Sequence, residues 1–530
     1  LKAVGLIAAD AELVRSGTAA IDADVSMRGP EAKAVVKLAL DDVAAFDVEG
    51  ARTTIEASVD GRAVNLDLKA GISDVGEVTV VSREAVLGGP AIDPRSWTRL
   101  RGAIDVRGSA DLARVAAVLP KDALPLAELG GTVTLTGRVH RRDESAVPDA
   151  QLHLHTEGLV VAGASTETTG SVETVTTWRS PDIDVACDAH IDAASGQTGI
   201  TVRATDTHGL VASFDAKSVL PLSAILESPA SAKQQVLEAP LSAKLVIPSR
   251  QLDQLPSVLG VEGIQGSAAL AVDVSGSAVE PAVHLTGSLR GLHTEAMAPK
   301  LRPDVDVRLD YDGRDLSLST KMRGSDRELV DLAAHAEIRA RDAIEGKPDL
   351  PWKARAKLHL ASFPLESIQA LADARVRGNV SGQVTIDDLH EDARVNMRAA
   401  LDHLAVGEAT YERGLVTVDA AKGTLTAHAR LDQVDGFLDA NASTSIVWGA
   451  QLVPTLDESR PSEAKLLAKG FRARVAQPFV QDVVPTLDGL IEANASARLA
   501  GGSTTPTLEG TVAFHDGTVL LAALGQELRG

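Results

Sequence analysis

Val305-Asp306-Val307-Arg308-Leu309-Asp310-Tyr311-Asp312-Gly313-Arg314-Asp315-Leu316-Ser317-Leu318 is the stretch whose reading decides the fold. Val305, Val307, Leu309 and Tyr311 occupy every second position, with Asp306, Arg308 and Asp310 between them. A period of two puts the apolar side chains on one face of an extended strand and the charged ones on the other. Asp312-Gly313 then supplies a tight hairpin turn, and the alternation resumes at Leu316 and Leu318. Two amphipathic antiparallel strands with a shared apolar face follow.

The same pattern recurs outward from this hairpin in both directions. It places Val133 and Leu135, Leu152 and Leu154, Leu270, Val272 and Val274, and Val283 and Leu285 on apolar strand faces. Towards the carboxy end it adds Val384 and Ile386, Val416 and Val418, Val512 and Phe514, and Val519 and Leu521. Asp60-Gly61 and Asp516-Gly517 are read as further hairpin turns, the second between Val512–Phe514 and Val519–Leu521. Because alternation carries through each turn, these positions are expected to share one apolar sheet surface.

Composition narrows the kind of surface. Apolar residues make up 44% of the 530 residues but aromatics only 2%, so the surface is built of Val, Leu, Ala and Ile. With four Trp, two Tyr and seven Phe, closed sandwich cores would be thinly packed. A curled sheet whose apolar face stays partly open needs an apolar guest instead. The net charge of -21 repels nucleic-acid phosphates and excludes nucleic acid as a partner. One cysteine, Cys187, rules out an intrachain disulfide and falls on the apolar face with Val185 and Ala189. No window reaches the ~20 apolar residues of a membrane-spanning helix, so a membrane anchor is expected outside this segment.

Short segments with helical spacing interrupt the strands: Leu112, Val115, Ala116 and Leu119; Leu252, Leu255 and Leu259; Leu365, Ile368 and Leu371; Val475, Phe479 and Val483. They recur at roughly 110 residues or more, longer than common solenoid periods. The division expected is a β-groove segment at 1–110, helix plus β-hairpin repeats at 111–250, 251–363 and 364–473, and the start of a carboxy-terminal repeat at 474–530. The fold class expected is all-β, an elongated, curled, mostly antiparallel sheet forming a repeating groove, with short helices at repeat boundaries.

After each helix comes a recurring phrase. It runs Gly131-Thr-Val-Thr-Leu-Thr-Gly137 then Pro148-Asp-Ala-Gln-Leu-His-Leu154, and Gly266 to Gly276 then Pro281-Ala-Val-His-Leu-Thr-Gly287. Near the end it runs Gly489 to Gly501, Pro506-Thr-Leu-Glu-Gly510, and Val512 to Gly525. This phrase, weaker around Gly382, resembles the TamB branch of the AsmA-like proteins. The resemblance implies an inner-membrane-anchored protein crossing the bacterial periplasm, with a long β-sheet curled into an apolar trough. It also implies a role in carrying phospholipid to the outer membrane, or in assembling outer-membrane proteins with a barrel partner of the BamA-like class. The groove lining it implies is Val133, Leu135, Leu152, Leu154, Leu270, Val272, Val274, Val283, Leu285, Val305, Val307, Leu309, Leu316, Leu318, Val384, Ile386, Val416, Val418, Val512, Phe514, Val519 and Leu521.

No catalytic constellation is legible: there is no phosphate-binding Lys-Ser or Lys-Thr loop, no nucleophile elbow, no H-E-x-x-H and no paired cysteines. His153 and His155 share a strand face without an evident third ligand, and read as polar-face residues. The acidic stretch Asp387-Asp388-Leu389-His390-Glu391-Asp392 lacks the spacing of a calcium loop. The expectation is therefore a protein that is not an enzyme and uses no cofactor and no metal.

Overall fold

Val, Ile, Leu and Thr in period-two runs suit the pleated, half-buried surface of a sheet, and the chain is all-β with antiparallel pairing. The computed structural model describes residues 14–28, 31–45, 48–93, 96–97, 99–118, 128–143, 147–169, 172–180, 182–227, 231–254, 263–297, 301–324, 327–346, 352–389, 393–407, 409–448, 454–476, 486–503, 505–521 and 526–529. The chain divides into two units. The first comprises Leu1–Arg250, Gln254–Glu262 and Leu270–Ala278, and the second Gln251–Asp253, Gly263–Ala269 and Val279–Gly530.

Unit 1 contains β1 (Val14–Arg28), β2 (Glu31–Ala45), β3 (Val48–Asp60), β4 (Ala63–Ile72), β5 (Gly76–Val86), β6 (Arg101–Asp111), β7 (Glu128–Arg141), β8 (Asp149–Thr169), β9 (Val172–Arg179), β10 (Ile183–Asp192), β11 (Gln197–Asp206), β12 (Gly209–Val219) and β13 (Leu241–Gln251). β14 (Gln265–Gly276) has residues assigned to each unit. Unit 2 continues with β15 (Pro281–His293), β16 (Asp304–Tyr311), β17 (Asp315–Arg323), β18 (Glu328–Glu337), β19 (Lys353–Pro364), β20 (Val376–Leu389), β21 (Arg394–Val406), β22 (Ala409–Thr410), β23 (Arg413–Ala421), β24 (Thr424–Asp432), β25 (Phe437–Val447), β26 (Thr455–Leu456), β27 (Ser462–Arg472), β28 (Thr486–Leu499), β29 (Thr507–Leu521) and β30 (Gln526–Arg529).

Most neighbours in sequence are neighbours in the ladder. β8 is one exception: its first part lies between β7 and β10, and its last part, Ala162 to Thr169, pairs with β9 as a hairpin extension. The Asp60-Gly61 and Asp312-Gly313 turns join β3 to β4 and β16 to β17 as read from the sequence.

Asp516-Gly517 corrects the sequence reading. No turn forms there, and β29 runs unbroken from Thr507 to Leu521 along β28. Asp516 takes a left-handed φ of 48°, which Asp tolerates, and the register shifts between Asp488 and Leu490. A bulge thus absorbs the residues that a hairpin would have used. Gly489 and Gly517 meet at this point, where a Cβ on Gly517 would lie 2.4 Å from the Gly489 Cα.

The helical segments are short. α1 (Leu112–Val118) lies where the first was expected, and the third appears as a 3-10 turn, Leu365–Ser367, in a loop that continues into a helix. Leu252–Gln254 and Ala473–Ala476 form single 3-10 turns, while Leu255, Leu259, Phe479 and Val483 lie outside the described residues. Helices α2 (Leu222–Glu227), α3 (Ala232–Glu238), α4 (Ala340–Ile344) and α5 (Gln369–Asp373) also lie among the described residues, α5 being the one that follows Leu365–Ser367.

Burial is concentrated at strand ends. In unit 2, Val376, Leu404, Val406, Tyr411, Phe471 and Ala493 form a buried cluster, with Leu365 and Leu371 of the α5 loop packed against it. The Tyr411 and Phe471 rings stand 5.7 Å apart, and the Tyr411 hydroxyl donates to the Arg472 carbonyl at 3.0 Å. Because this cluster joins residues of β20, β21, β27 and β28, the sheet of unit 2 is concave around it. In unit 1 a smaller cluster of Val64, Ala85 and Leu87 anchors the loop after β5. Phe471 is 1% exposed, so Phe471→Ala is expected to cost about 3–5 kcal/mol. Val512→Ala, at a residue 66% exposed, should cost a small fraction of that. Urea unfolding followed by circular dichroism measures both.

Candidate functional site

Cross-strand register carries apolar residues in line from strand to strand. In unit 1 one row reads Ile21, Leu38, Ile55, Leu68, Val80, Val106, Gly137, Leu152, Ala189, Ile200, Ala216 and Ala243, each residue opposite the next. No polar side chain interrupts it over twelve strands. In unit 2 the corresponding row is Gly287, Val307, Thr320, Leu332, Leu358, Val384, Met397, Val418, Ala427, Ala442, Ala464, Ala497 and Leu508. Thr320 is its only hydroxyl.

The face is open. Ile21, Val25 and Met27 are 66%, 61% and 57% exposed, and Val139 and Leu152 about two-fifths exposed. A groove of about 630 Å³ lies over it in unit 1, lined by Val106, Val139, Leu152, Ala189, Ile191, Ile200 and Ala216 among others. A second, of about 690 Å³, lies in unit 2 over Val416, Ala429, Ala440, Leu466, Ala495 and Val512. Both fall in the size range of sites for small apolar ligands.

Most of the residues expected to line a groove lie on these apolar faces. Leu135 and Leu154 pair directly, Val133 lies opposite Ala110 and Thr156, and Leu152 is central to the unit 1 groove. Val283, Leu285, Val305, Val307, Leu309, Leu316 and Leu318 share one face through direct pairs such as Leu285 with Leu309 and Leu309 with Leu318. Ile386 pairs with Val395, Val416 with Ala399, and Phe514 with Ile491. Leu270, Val272 and Val274 alternate with polar-face residues, one of which, Asp273, makes an ion pair with Lys244 at 3.4 Å. Val519 and Leu521 pair through their backbones with Leu528 and Gln526, and their side chains lie outside the described residues.

Sequence reading missed much of the lining. Ile104, Val106, Ile200, Val202 and Phe214 belong to it, as do the glycines Gly137 and Gly510 and the alanines of β24, β25, β27 and β28. Ile200 and Val202 carry the same alternation as the residues found. The alanines and glycines do not, because small residues are found on either face of a strand.

The opposite face is held by cross-strand ion pairs. Asp105 lies between Arg138 (2.6 Å) and Arg83 (2.8 Å), and Glu128 receives two hydrogen bonds from Arg179. The hydrogen bond from Arg138, opposed by desolvation and aided by the nearby guanidinium charges, holds the Asp105 carboxyl below its usual pKa. The Arg179 hydrogen bonds do the same for Glu128. At Asp206, burial pushes the carboxyl up, but hydrogen bonds from the Arg250 guanidinium and the His208 backbone amide bring it below normal. His153 pairs with Asp188 on this face, and His155 lies 3.7 Å from Glu157, as expected of polar-face residues.

No known protein-family model, curated protein or solved structure matches the chain. The described residues contain no helix long and apolar enough to cross a membrane.

Two predictions follow from these faces. Depressed carboxyl pKa values contribute stability that is complete above about pH 4–4.5, the unfolded range, and is lost as pH falls through the lower folded values. The melting temperature is expected to be flat from neutral pH to about 5 and to drop below about 4. Cys187, half-buried and opposite Leu154 and Val202, sits on the apolar face as the chain's single thiol. A polarity-sensitive fluorophore attached there should blue-shift when phospholipid is added. The same label on Ser242→Cys in a Cys187→Ala background, on the polar face, should not respond.

Proposed function

We propose that the open apolar face of each unit receives the acyl chains of phospholipid, and that the chain is a non-enzymatic lipid carrier of the bacterial envelope. On this reading it acts in the periplasm between inner and outer membrane, as the resemblance to TamB-like proteins implies. The observation that carries the proposal is the row of apolar residues across successive strands, interrupted only by the Thr320 hydroxyl in unit 2 and left exposed instead of covered by a second sheet. An acyl chain of about 16 carbons loses roughly 0.8 kcal/mol per methylene in water, on the order of 12 kcal/mol in all. A floor without charged interruptions spares the chain most of that cost along it. Headgroups are too costly to bury, so an open side suits an amphipathic guest.

The low aromatic content supports the same reading. Alanine and glycine in the β24 to β28 floor leave a shallow surface against which flexible chains of varied length slide, with few pockets that would trap one. Assembly of outer-membrane proteins with a barrel partner is the alternative the resemblance carries, and no observation in either unit favours it.

Charge placed on the apolar face tests the proposal. Leu152→Asp and Leu285→Arg put an ion in the path of acyl chains, at a local penalty of about 2–4 kcal/mol by analogy with lipid-facing charges in barrels. Leu152 borders the open groove of unit 1 and Leu285 is partly exposed, so circular dichroism should report intact folding. Phospholipid detected by mass spectrometry on the purified protein should fall several-fold, and complementation of an envelope-permeability defect should fail. Gln151→Asp and His284→Arg, on the polar face, should leave both unchanged. Equal effects on the two faces would exclude the proposal.

A further inference from the structure

Asp315 and Glu337 are direct cross-strand partners at the end of the β17–β18 ladder, on the polar face. Two carboxylates in that relation repel unless something stands between them. His335, one pleat further along β18, places its Nε2 3.4 Å from Asp315 Oδ1. That separation is long for a hydrogen bond, but it matches the edge of a coordination tetrahedron: two ligands each about 2.1 Å from a zinc ion stand roughly 3.4 Å apart. The other ring nitrogen, Nδ1, lies 3.5 Å from the Ser317 hydroxyl, the residue directly opposite His335. A partner on the far nitrogen is what fixes the orientation of a ligating imidazole. The ligand atoms of Asp315, His335 and Glu337 all lie within 4.8 Å of one another. Glu337 is half-exposed, so its side chain has room to turn towards an ion.

We propose that Asp315, His335 and Glu337 form a divalent-cation site on the polar face of β17 and β18. One imidazole and two carboxylates suit zinc, with water completing the shell. The site clamps the two strands from the face opposite the apolar floor and is independent of lipid binding. Arg314, 3.7 Å from Glu337, competes with the ion for that carboxylate. The pairs of His284 with Asp310 and His153 with Asp188 each bring one carboxylate to one histidine, which makes them internal controls.

Chelator-treated protein titrated with zinc by calorimetry is expected to bind one equivalent through this site, and cobalt substituted for zinc should give tetrahedral d–d absorption. His335→Ala and Asp315→Asn should each remove that binding, Arg314→Ala should tighten it several-fold, and His284→Ala should leave it unchanged. All four changes are at solvent-accessible side chains of an intact ladder, and equal melting curves without metal verify the fold. Absence of saturable zinc binding in the unsubstituted protein would overturn the proposal. So would binding that persists in both His335→Ala and Asp315→Asn.

Discussion

Every feature of this protein depends on the parity of antiparallel register. Side chains alternate along a strand, so a partner shifted by one residue exchanges the two faces completely. From β1 to β13 the pairing keeps apolar opposite apolar at each step, and small irregularities are confined to bulges that restore the parity beyond them. The bulge between Val64 and Asp67 and the bulge between Gly130 and Thr132 are two cases. Both lie towards the ends of their ladders, beyond the row from Ile21 to Ala243, which crosses β4–β5 at Leu68 with Val80 and β7–β8 at Gly137 with Leu152 in regular register.

Having separated the faces, the sheet solves two problems with them. On the polar face, charges are paired across strands, so a chain of net charge -21 carries few repulsive neighbours there. Exposed pairs of this kind contribute little individually, and Arg250 with Asp206 is the one that is well buried. On the apolar face, the usual solution of covering the surface with a second layer is applied only at strand ends. The Tyr411 and Phe471 cluster and the Leu87 loop close small regions and leave the strand centres open. Burial is thus concentrated at the rims, and the strand centres are left uncovered.

The contrast between the two grooves is one of side-chain size. Leu152 and Ile200 stand up from the unit 1 floor beside Gly137, Ala189 and Ala216, whereas the unit 2 floor is mostly alanine. Both are continuous in register, and neither row carries a charged side chain.

Much of this was legible from the residues alone. Period-two alternation at Val305 to Tyr311 determined strands with one apolar face, and Asp312-Gly313 determined an antiparallel turn, since both effects are local. Asp516-Gly517 carried the same local signal and yet lies inside β29, because pairing along the full length of β28 outweighs the preference of two residues for a turn. Helices α2, α3 and α4 escaped notice because segments of five to seven residues carry little periodicity. The alanines of the unit 2 floor, and the meeting of Asp315, His335 and Glu337, were decided only in the tertiary structure. A small residue does not declare its face and three separated residues do not declare a common one; both depend on which strand lies alongside and in which register.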